Sequence, residues 1–401
     1  MIIKRNGIKK LLLFLIGVFC QTSSMMSRGM MIIYLGFCTL LFLLSINTKS
    51  LKIGKGLIWY SLFVLYCMFS LTYTINTVDP DFVYIRILTY LYLVFLVAPF
   101  FDEKENIKLV IIGFFIGGLI GILNVLISQY NLIGEKRLGD GIYGSYAEFG
   151  NVCMLTLSCF IWLKDKLFKN KIFKIIVFLF CCVAIILSGA RKAILVPILM
   201  YLFLKILDRR SKISNKIMVL TIATSFVLVF LYVSLNNQAL YDAIGYRIES
   251  GISSVLGNDE QDASLEERGS FKKLALSMFK EKPITGWGMH SFAYKSYQRG
   301  GPNVFSHDNF LELLCCYGII GFLIYYISFV IIIANCRLFL RDDLGLFLFS
   351  YILIILIMDP YSISFLTSPY IILISASLQY CDIGKLKIKE GINNEAIYQI
   401  C

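Results

Sequence analysis

The fold is decided by residues 309–335, which read NFLELLCCYGIIGFLIYYISFVIIIAN, with Glu312 the one charged side chain among them. A helix needs about 20 apolar residues to cross a hydrocarbon core of roughly 30 Å. Only helices and closed barrels satisfy their backbone polar groups in lipid, and this run is far too long for a barrel strand. The stretch therefore predicts a membrane-spanning helix.

The composition of the whole chain agrees with that stretch. Hydrophobic residues make up 58% and charged residues 16% of the 401 residues, against roughly 45–50% and about 25% in soluble domains. A soluble enzyme, a disordered tail and a disulfide-stapled secreted domain are therefore excluded as classes. The 12 cysteines lie mostly in or beside apolar runs, as Cys181-Cys182 does, and we interpret them as small buried hydrophobic residues.

Charge-poor runs recur along the chain and predict an all-α, polytopic membrane protein of about 12 spans. The expected spans lie near 8–20, 29–46, 57–75, 84–101, 108–128, 147–163, 174–188, 192–207, 216–235, 309–335, 344–358 and 363–381. They divide the chain into spans 1 to 9 (1–235), a large outer loop (236–306), spans 10 to 12 (307–381) and an inner tail (382–401).

The distribution of Lys and Arg predicts the orientation. With both termini in the cytoplasm, 24 of the 38 basic residues lie on the inner side, six lie at short outer connections and eight lie in the loop 236–306. The positive-inside rule for short loops favours this orientation. The formal charge of +12 is thereby assigned to membrane topology rather than to nucleic-acid binding. The glycines at 113, 117 and 121 in the fifth span predict close helix packing.

The outer loop predicts an amphipathic helix. Ser264-Leu265-Glu266-Glu267 has the spacing of a capping box, and Pro283 ends the helical stretch. The apolar residues between them recur at helical spacing and comprise Phe271, Leu274, Ala275, Met278 and Phe279. Such a helix would lie on the outer membrane surface or over the mouth of the protein.

Both histidines fall on the expected outer side. His307 precedes the tenth span, with Ser306 as a possible N-cap. The positive end of a helix dipole disfavours imidazolium, so His307 is a candidate general base; the alternative is a histidine that anchors a helix end at the interface. His290, which has no comparable helix setting, is interpreted as structural.

Two arginines complete the candidate site. Arg191 lies in a very short outer turn, where a cation runs against the topological trend, and Arg268 shares the apolar face of the outer helix rather than the polar side with Lys272 and Lys273. Arg binds phosphate in bidentate fashion, unlike Lys. The alternative for both arginines is that they bind no ligand and only extend their long side chains past apolar neighbours to reach water. Two arginines and a neutral histidine at one mouth suit an anionic, lipid-attached substrate.

The order of these motifs resembles the O-antigen polymerase and O-antigen ligase superfamily of bacterial membrane proteins. The matching motifs are Ser188-Gly189-Ala190-Arg191, Arg268, Pro283-Ile284-Thr285-Gly286-Trp287-Gly288, His307-Asp308-Asn309-Phe310-Leu311, Gly318 and Gly321. The segment Gly144–Asn151 resembles the entry to the family's sixth span, but Ala147-Glu148 replaces the usual Asn-Pro pair. Asp308 stands where Asn often follows the histidine.

The resemblance implies glycosyl transfer without a metal or other cofactor, on the outer face of the bacterial cytoplasmic membrane. The donor would be a glycan on undecaprenyl pyrophosphate. Arg191 and Arg268 would bind the pyrophosphate, and His307 would activate the acceptor hydroxyl. We expect a polymerase of O-antigen or capsular repeat units, because polymerases are the more numerous and diverse branch. A chain-length regulator and a flippase are the partners that such an enzyme implies.

Other functions stay open at this point. A ligase would use the same donor and pass the finished glycan to a different acceptor. A flippase or transporter would carry ionisable groups in the middle of several spans and similar halves, which the sequence does not show. A metal-dependent glycosyltransferase would favour an acidic pair in an early outer loop, for which Asp79-Pro80-Asp81 is the one faint candidate. The acidic run 259–262 lacks regular ligand spacing and is read as a solvated loop.

Overall fold

The computed structural model describes residues 2–46, 53–75, 81–133, 136–238, 241, 249 and 263–398. Every regular element in these residues is helical. The helices are α1 (Ile2–Thr22), α2 (Arg28–Ser45), α3 (Lys55–Ser70), α4 (Asp81–Val97), α5 (Lys104–Ser128), α6 (Tyr146–Leu167), α7 (Lys171–Ser188), α8 (Arg191–Ile206), α9 (Ile213–Asn236), α10 (Ala263–Glu281), α11 (Ser291–Gln298), α12 (Asn309–Ala334), α13 (Cys336–Phe339), α14 (Asp343–Met358) and α15 (Ser368–Tyr398).

Each of the 12 expected spans overlaps one of these helices, and the all-helical, polytopic membrane class is confirmed. Eight helices in the described part of the chain are long and apolar enough to cross a bilayer. The count of 12 is not confirmed: α3 and α8 have 16 residues each, and α8 contains Pro197. The eight are Arg5–Met25, Arg28–Ser45, Val83–Phe100, Lys104–Ser128, Tyr146–Leu167, Lys171–Ser188, Asn309–Ala334 and Asp343–Tyr361.

Two glycines of α5, Gly113 and Gly117, lie where α1 crosses it, whereas Gly121 lies against Tyr143. A Cβ atom added to Gly113 would lie 2.3 Å from the carbonyl oxygen of Phe14, and one added to Gly17 would lie 2.3 Å from that of Val110. A Cβ atom added to Gly117 would lie 2.8 Å from the Cα atom and from the carbonyl oxygen of Val18. Small residues let two helix backbones approach in lipid, and the packing interpretation of these glycines is confirmed.

Helix α10, which we call the surface helix, has the expected amphipathic pattern. Phe271, Leu274, Ala275 and Met278 are buried, whereas Lys273, Leu276 and Lys280 are exposed. The helix ends at Glu281, two residues before Pro283. Its apolar stripe therefore packs against the helical bundle and fixes which of its basic side chains face the candidate site.

Helix α12, which we call the broken helix, is interrupted at Gly318, where φ is 63° and ψ is −169°. The sequence had indicated one continuous span here. Residues 283–288, which we call the clamp segment, supply hydrogen bonds to the backbone on both sides of the break. The four bonds run from Trp287 N to Cys315 O (3.0 Å), Gly288 N to Cys316 O (2.8 Å), Ile319 N to Pro283 O (2.8 Å) and Ile320 N to Ile284 O (3.3 Å).

Two glycines allow this close approach. A Cβ on Gly318 would lie 2.2 Å from the carbonyl oxygen of Ile284, and a Cβ on Gly286 would lie 2.5 Å from that of Cys316. Both glycines have positive φ, a conformation that side chains disfavour. The indole of Trp287 donates to the carbonyl of Met278 at 2.9 Å. The clamp segment thereby joins the broken helix to the surface helix.

Nine of the 11 described cysteines are buried. They include Cys315 and Cys316, which lie beside the break, and Cys181 in α7. The interpretation of these residues as small hydrophobic packing groups is confirmed.

Candidate functional site

His307 lies in a tight bend immediately before the broken helix. Its φ is 59°, one of two positive values among the described residues other than glycine. The next residue caps the helix, because Asp308 accepts a hydrogen bond from Leu311 N at 3.1 Å. The prediction that Ser306 caps the helix is therefore wrong. The Ser306 hydroxyl donates to the carbonyl of Asp308 at 3.0 Å instead, and thereby closes the bend that contains His307.

A buried carboxyl group supports the same bend from below. Glu312 is 1% exposed, and it accepts a hydrogen bond from Ser306 N at 2.8 Å. The Phe271 ring of the surface helix stacks on the imidazole of His307 at a centroid distance of 6.2 Å. His307 is thus held between the broken helix and the surface helix.

Lys272 joins these two helices by charge. Its ammonium lies 3.1 Å from Asp308 Oδ2, donates to the carbonyl of Pro360 at 3.0 Å and lies 5.4 Å from the centre of the Tyr361 ring. Asp308 is buried. The sequence placed Lys272 on the polar face of the helix, and this placement is wrong, because the helix is rotated so that Lys272 faces the end of the broken helix.

Arg268 lies one turn before Lys272 on the surface helix and is exposed. It is close enough to His307 to act on it electrostatically. Partial burial, the Arg268 guanidinium and the Lys192 ammonium together lower the pKa of His307 from its usual value. The imidazole, which is partly open to solvent, is therefore neutral at neutral pH and able to accept a proton.

Lys192 brings a third element, α8, to the site. The helix begins at Arg191, whose backbone is described while its side chain lies outside the described residues. Lys192 interacts electrostatically with Glu148 in the first turn of α6 and with Arg268. Lys192 follows Arg191 in the outer turn and Glu148 lies in the segment Gly144–Asn151, but neither was predicted to be a site residue.

The turn before α8 is built on Gly189, whose φ is 60°. The side chain of Arg137 lies against this turn, since a Cβ on Gly189 would be 3.0 Å from Arg137 Cδ. The Arg137 guanidinium also stacks over the Tyr146 ring at 4.6 Å. Ser145 caps α6 by accepting from Glu148 N at 3.2 Å. A fourth cation, missed in the sequence, therefore lies beside the turn that leads into Arg191.

A buried polar network fixes the start of the broken helix. Asn309 Nδ2 donates to the hydroxyl of Tyr326 at 2.8 Å, and that hydroxyl donates to Asp359. Asn309 Oδ1 accepts from Ser364 N at 2.9 Å. Asn309 and Asp359 have no exposed surface. These bonds tie the residue two positions after His307 to the connection between α14 and α15.

His290 occupies a different setting. It is 8% exposed, has a φ of 58° and packs on the Phe305 ring at 4.8 Å. Within the described part of the chain, no three His, Cys, Asp or Glu side chains lie together as metal ligands. The acidic run 259–262 and the loop at Asp79-Pro80 lie outside the described residues.

The site draws on elements far apart in sequence. Arg268, His307 and Lys192 lie close enough to interact electrostatically, and Lys192 is the residue after Arg191. Residues 176–326 match the O-antigen ligase family. No curated protein matches the chain. The matched segment contains Arg191, Arg268, the clamp segment and His307, which are the residues on which the resemblance rests. The match covers less than half of the chain, and it supports the resemblance of residues 176–326 to the O-antigen ligase and polymerase superfamily.

Proposed function

We propose that this protein is a polysaccharide polymerase that joins lipid-linked repeat units on the outer face of the bacterial cytoplasmic membrane. The donor is a glycan on undecaprenyl pyrophosphate, and both termini lie in the cytoplasm. The family match supports activity of the ligase or polymerase type, and the helices support a membrane-embedded substrate. The loop 236–306 then lies on the outer side of the membrane, and a chain-length regulator and a flippase are the expected partners.

In the proposed reaction, His307 removes the proton from the acceptor hydroxyl as that oxygen attacks the anomeric carbon of the donor. The bond between this carbon and the pyrophosphate oxygen breaks, and the electron pair leaves with undecaprenyl pyrophosphate. Arg191 and Arg268 stabilise the charge that develops on the leaving group. General-base and electrostatic assistance of this kind need no metal.

The observation that carries this proposal is the pair of cations acting on a neutral histidine. Arg268 and Lys192 lie on separate helices and both lower the pKa of His307. Two cations from separate helices beside one histidine favour a bound phosphate group. A bound pyrophosphate would offset their field and raise the proton affinity of His307. Donor binding would thus make the histidine a better base when the acceptor is to be deprotonated.

We expect the pH profile of kcat/KM to reflect the effect of Arg268 and Lys192 on the pKa of His307. Activity of the wild-type protein should rise with pH through a midpoint below 6.5, because the neutral form of His307 acts as the base and its pKa is lowered. Arg268→Gln removes one cation and should move this acidic limb to higher pH. Measuring initial rates of transfer across pH in reconstituted vesicles tests both expectations.

The matched control for this profile is Lys280→Gln, which removes an exposed cation from the last turn of the same helix. Its acidic limb should coincide with that of the wild-type protein. An acidic limb of the pH profile that stays in place in Arg268→Gln would contradict an electrostatic effect of Arg268 on His307. A limb that moves equally in Arg268→Gln and Lys280→Gln would contradict it as well. The limb position is informative even though Arg268→Gln also lowers the rate.

The function itself is tested by the glycans of the native host lacking this protein, with lipid-linked and surface-attached pools separated on gels. Single repeat units without long chains are the result expected for a polymerase. Long chains retained on the lipid carrier would identify a ligase. A ligase is the second candidate because residues 176–326 match the O-antigen ligase family. Repeat units trapped on the inner leaflet would contradict both and identify a transporter.

A further inference from the structure

A groove of about 400 Å³ lies between α1, α5 and α6, away from His307. On α6, Glu148 faces the site described above, whereas Lys166 lines the groove. These residues are 18 positions apart, which corresponds to about 27 Å along a helix at about 1.5 Å per residue. The groove therefore opens at the opposite end of the bundle, where the Lys-rich connections of the expected cytoplasmic face lie.

The lining of the groove is divided into a charged part and an apolar part. The charged part has three lysines and one acid, and the apolar part has the rings and branched chains of five residues. The lining residues are Lys10, Lys108, Lys166 and Glu105, together with Leu109, Ile112, Trp162, Leu163 and Leu167.

The three lysines of the groove outnumber the acidic side chains that lie beside them. Lys108 pairs with Glu105 at 2.5 Å, Lys166 lies 3.6 Å from the centre of the Trp162 ring, and Lys10 has no acidic partner among the described residues. Asp343 reaches Lys166 only at 4.0 Å, and Asp343 also faces Arg210. The groove thus keeps an excess of positive charge beside apolar side chains.

We propose that this groove is a binding site for one anionic phospholipid of the cytoplasmic leaflet. The phosphate lies among the three lysines, and an acyl chain follows the apolar lining along α5 and α6. A small soluble anion would use the lysines but leave Leu109, Ile112 and Leu167 without a partner. A zwitterionic lipid would fill the apolar part but bring no net charge to the lysines. The proposal does not rest on glycosyl transfer.

The test is a titration of the full-length protein in detergent with phosphatidylglycerol or phosphatidylcholine, read by native mass spectrometry. We expect the first phosphatidylglycerol to bind clearly more tightly than phosphatidylcholine. At roughly five-fold per lysine near a membrane surface, Lys108→Gln combined with Lys166→Gln should weaken that first binding more than ten-fold. Glu105→Gln, which removes the competing carboxylate, should strengthen it.

The matched control is Lys164→Gln combined with Lys169→Gln, which removes one charge from the last turn of α6 and one from the connection after it, both outside the groove. It should retain the wild-type affinity. Equal weakening in the control would show general surface attraction and overturn the proposal. Equal affinity for the two lipids would do the same. Displacement of phosphatidylglycerol by millimolar inorganic phosphate would identify a free-anion site instead. Wild-type folding is checked in each variant by size-exclusion chromatography.

Discussion

His307→Asn should abolish polymer formation while leaving the protein folded. Loss of a general base typically lowers a rate by about 100- to 10,000-fold. Asparagine is chosen because it tolerates the left-handed backbone that His307 adopts at φ 59°. It keeps a polar side chain of moderate size but cannot accept a proton. The measurement is the initial rate of transfer from a lipid-linked donor in vesicles, normalised to folded protein.

The second histidine offers a matched control. His290 has nearly the same φ of 58° and lies 17 residues earlier in the chain, but it packs on Phe305 and is given no role in the reaction. His290→Asn therefore makes the same chemical change on the same backbone conformation. We expect activity per folded molecule close to that of the wild-type protein. Wild-type rates in His307→Asn would exclude His307 as the base.

Gly318→Ala should prevent the protein from reaching its folded state. The backbone at φ 63° and ψ −169° belongs to a region populated almost only by glycine, with strain on the order of 1–3 kcal/mol for other residues. The added methyl group would also lie 2.2 Å from Ile284 O and 2.7 Å from Gly286 N. These are backbone atoms held by the hydrogen bonds of the clamp segment, so neither can move aside without breaking them.

Two further glycines distinguish the effect of backbone strain from the effect of the steric clash in Gly318→Ala. Gly300 has a φ of +80° with open space around it, and Gly36 in α2 also has open space and a helical backbone. We expect Gly300→Ala to lower the apparent midpoint of thermal unfolding slightly and Gly36→Ala to leave it unchanged or raised. Monodisperse Gly318→Ala protein with a wild-type midpoint would contradict the proposed clash.

Much of the helical fold can be predicted because lipid imposes a simple rule on the sequence. The run 309–335 predicted a span, and the helix occupies Asn309–Ala334. The break inside it could not be predicted from hydropathy, because Gly318 is surrounded by residues as apolar as those of an unbroken helix. Its cause is a segment about thirty residues earlier, and only the motif Pro283–Gly288 of the superfamily pointed there.

The candidate site was predicted less completely. Arg268 and His307 were selected from the sequence because a cation and a histidine stood at unusual positions, and the structure brings them together. Lys272 was misplaced because it borders the apolar stripe next to the buried Phe271, and hydropathy does not show that its side chain pairs with Asp308. The cap was assigned to Ser306 because serine and aspartate cap helices about equally well, so the sequence Ser-His-Asp left two choices.

The hydrogen bonds across the break also determine where this chain tolerates changes in length. Between the clamp segment and residue 315 the chain passes through an exposed stretch near residues 298–303. The cost of closing a loop grows only slowly with its length, so insertions in that stretch leave the pairing intact. One residue added within 283–288 would shift every donor past its acceptor and leave peptide groups unpaired at membrane depth. Homologous chains should therefore vary in length in the stretch that corresponds to residues 298–303. They should keep a constant length in the segment that corresponds to residues 283–288.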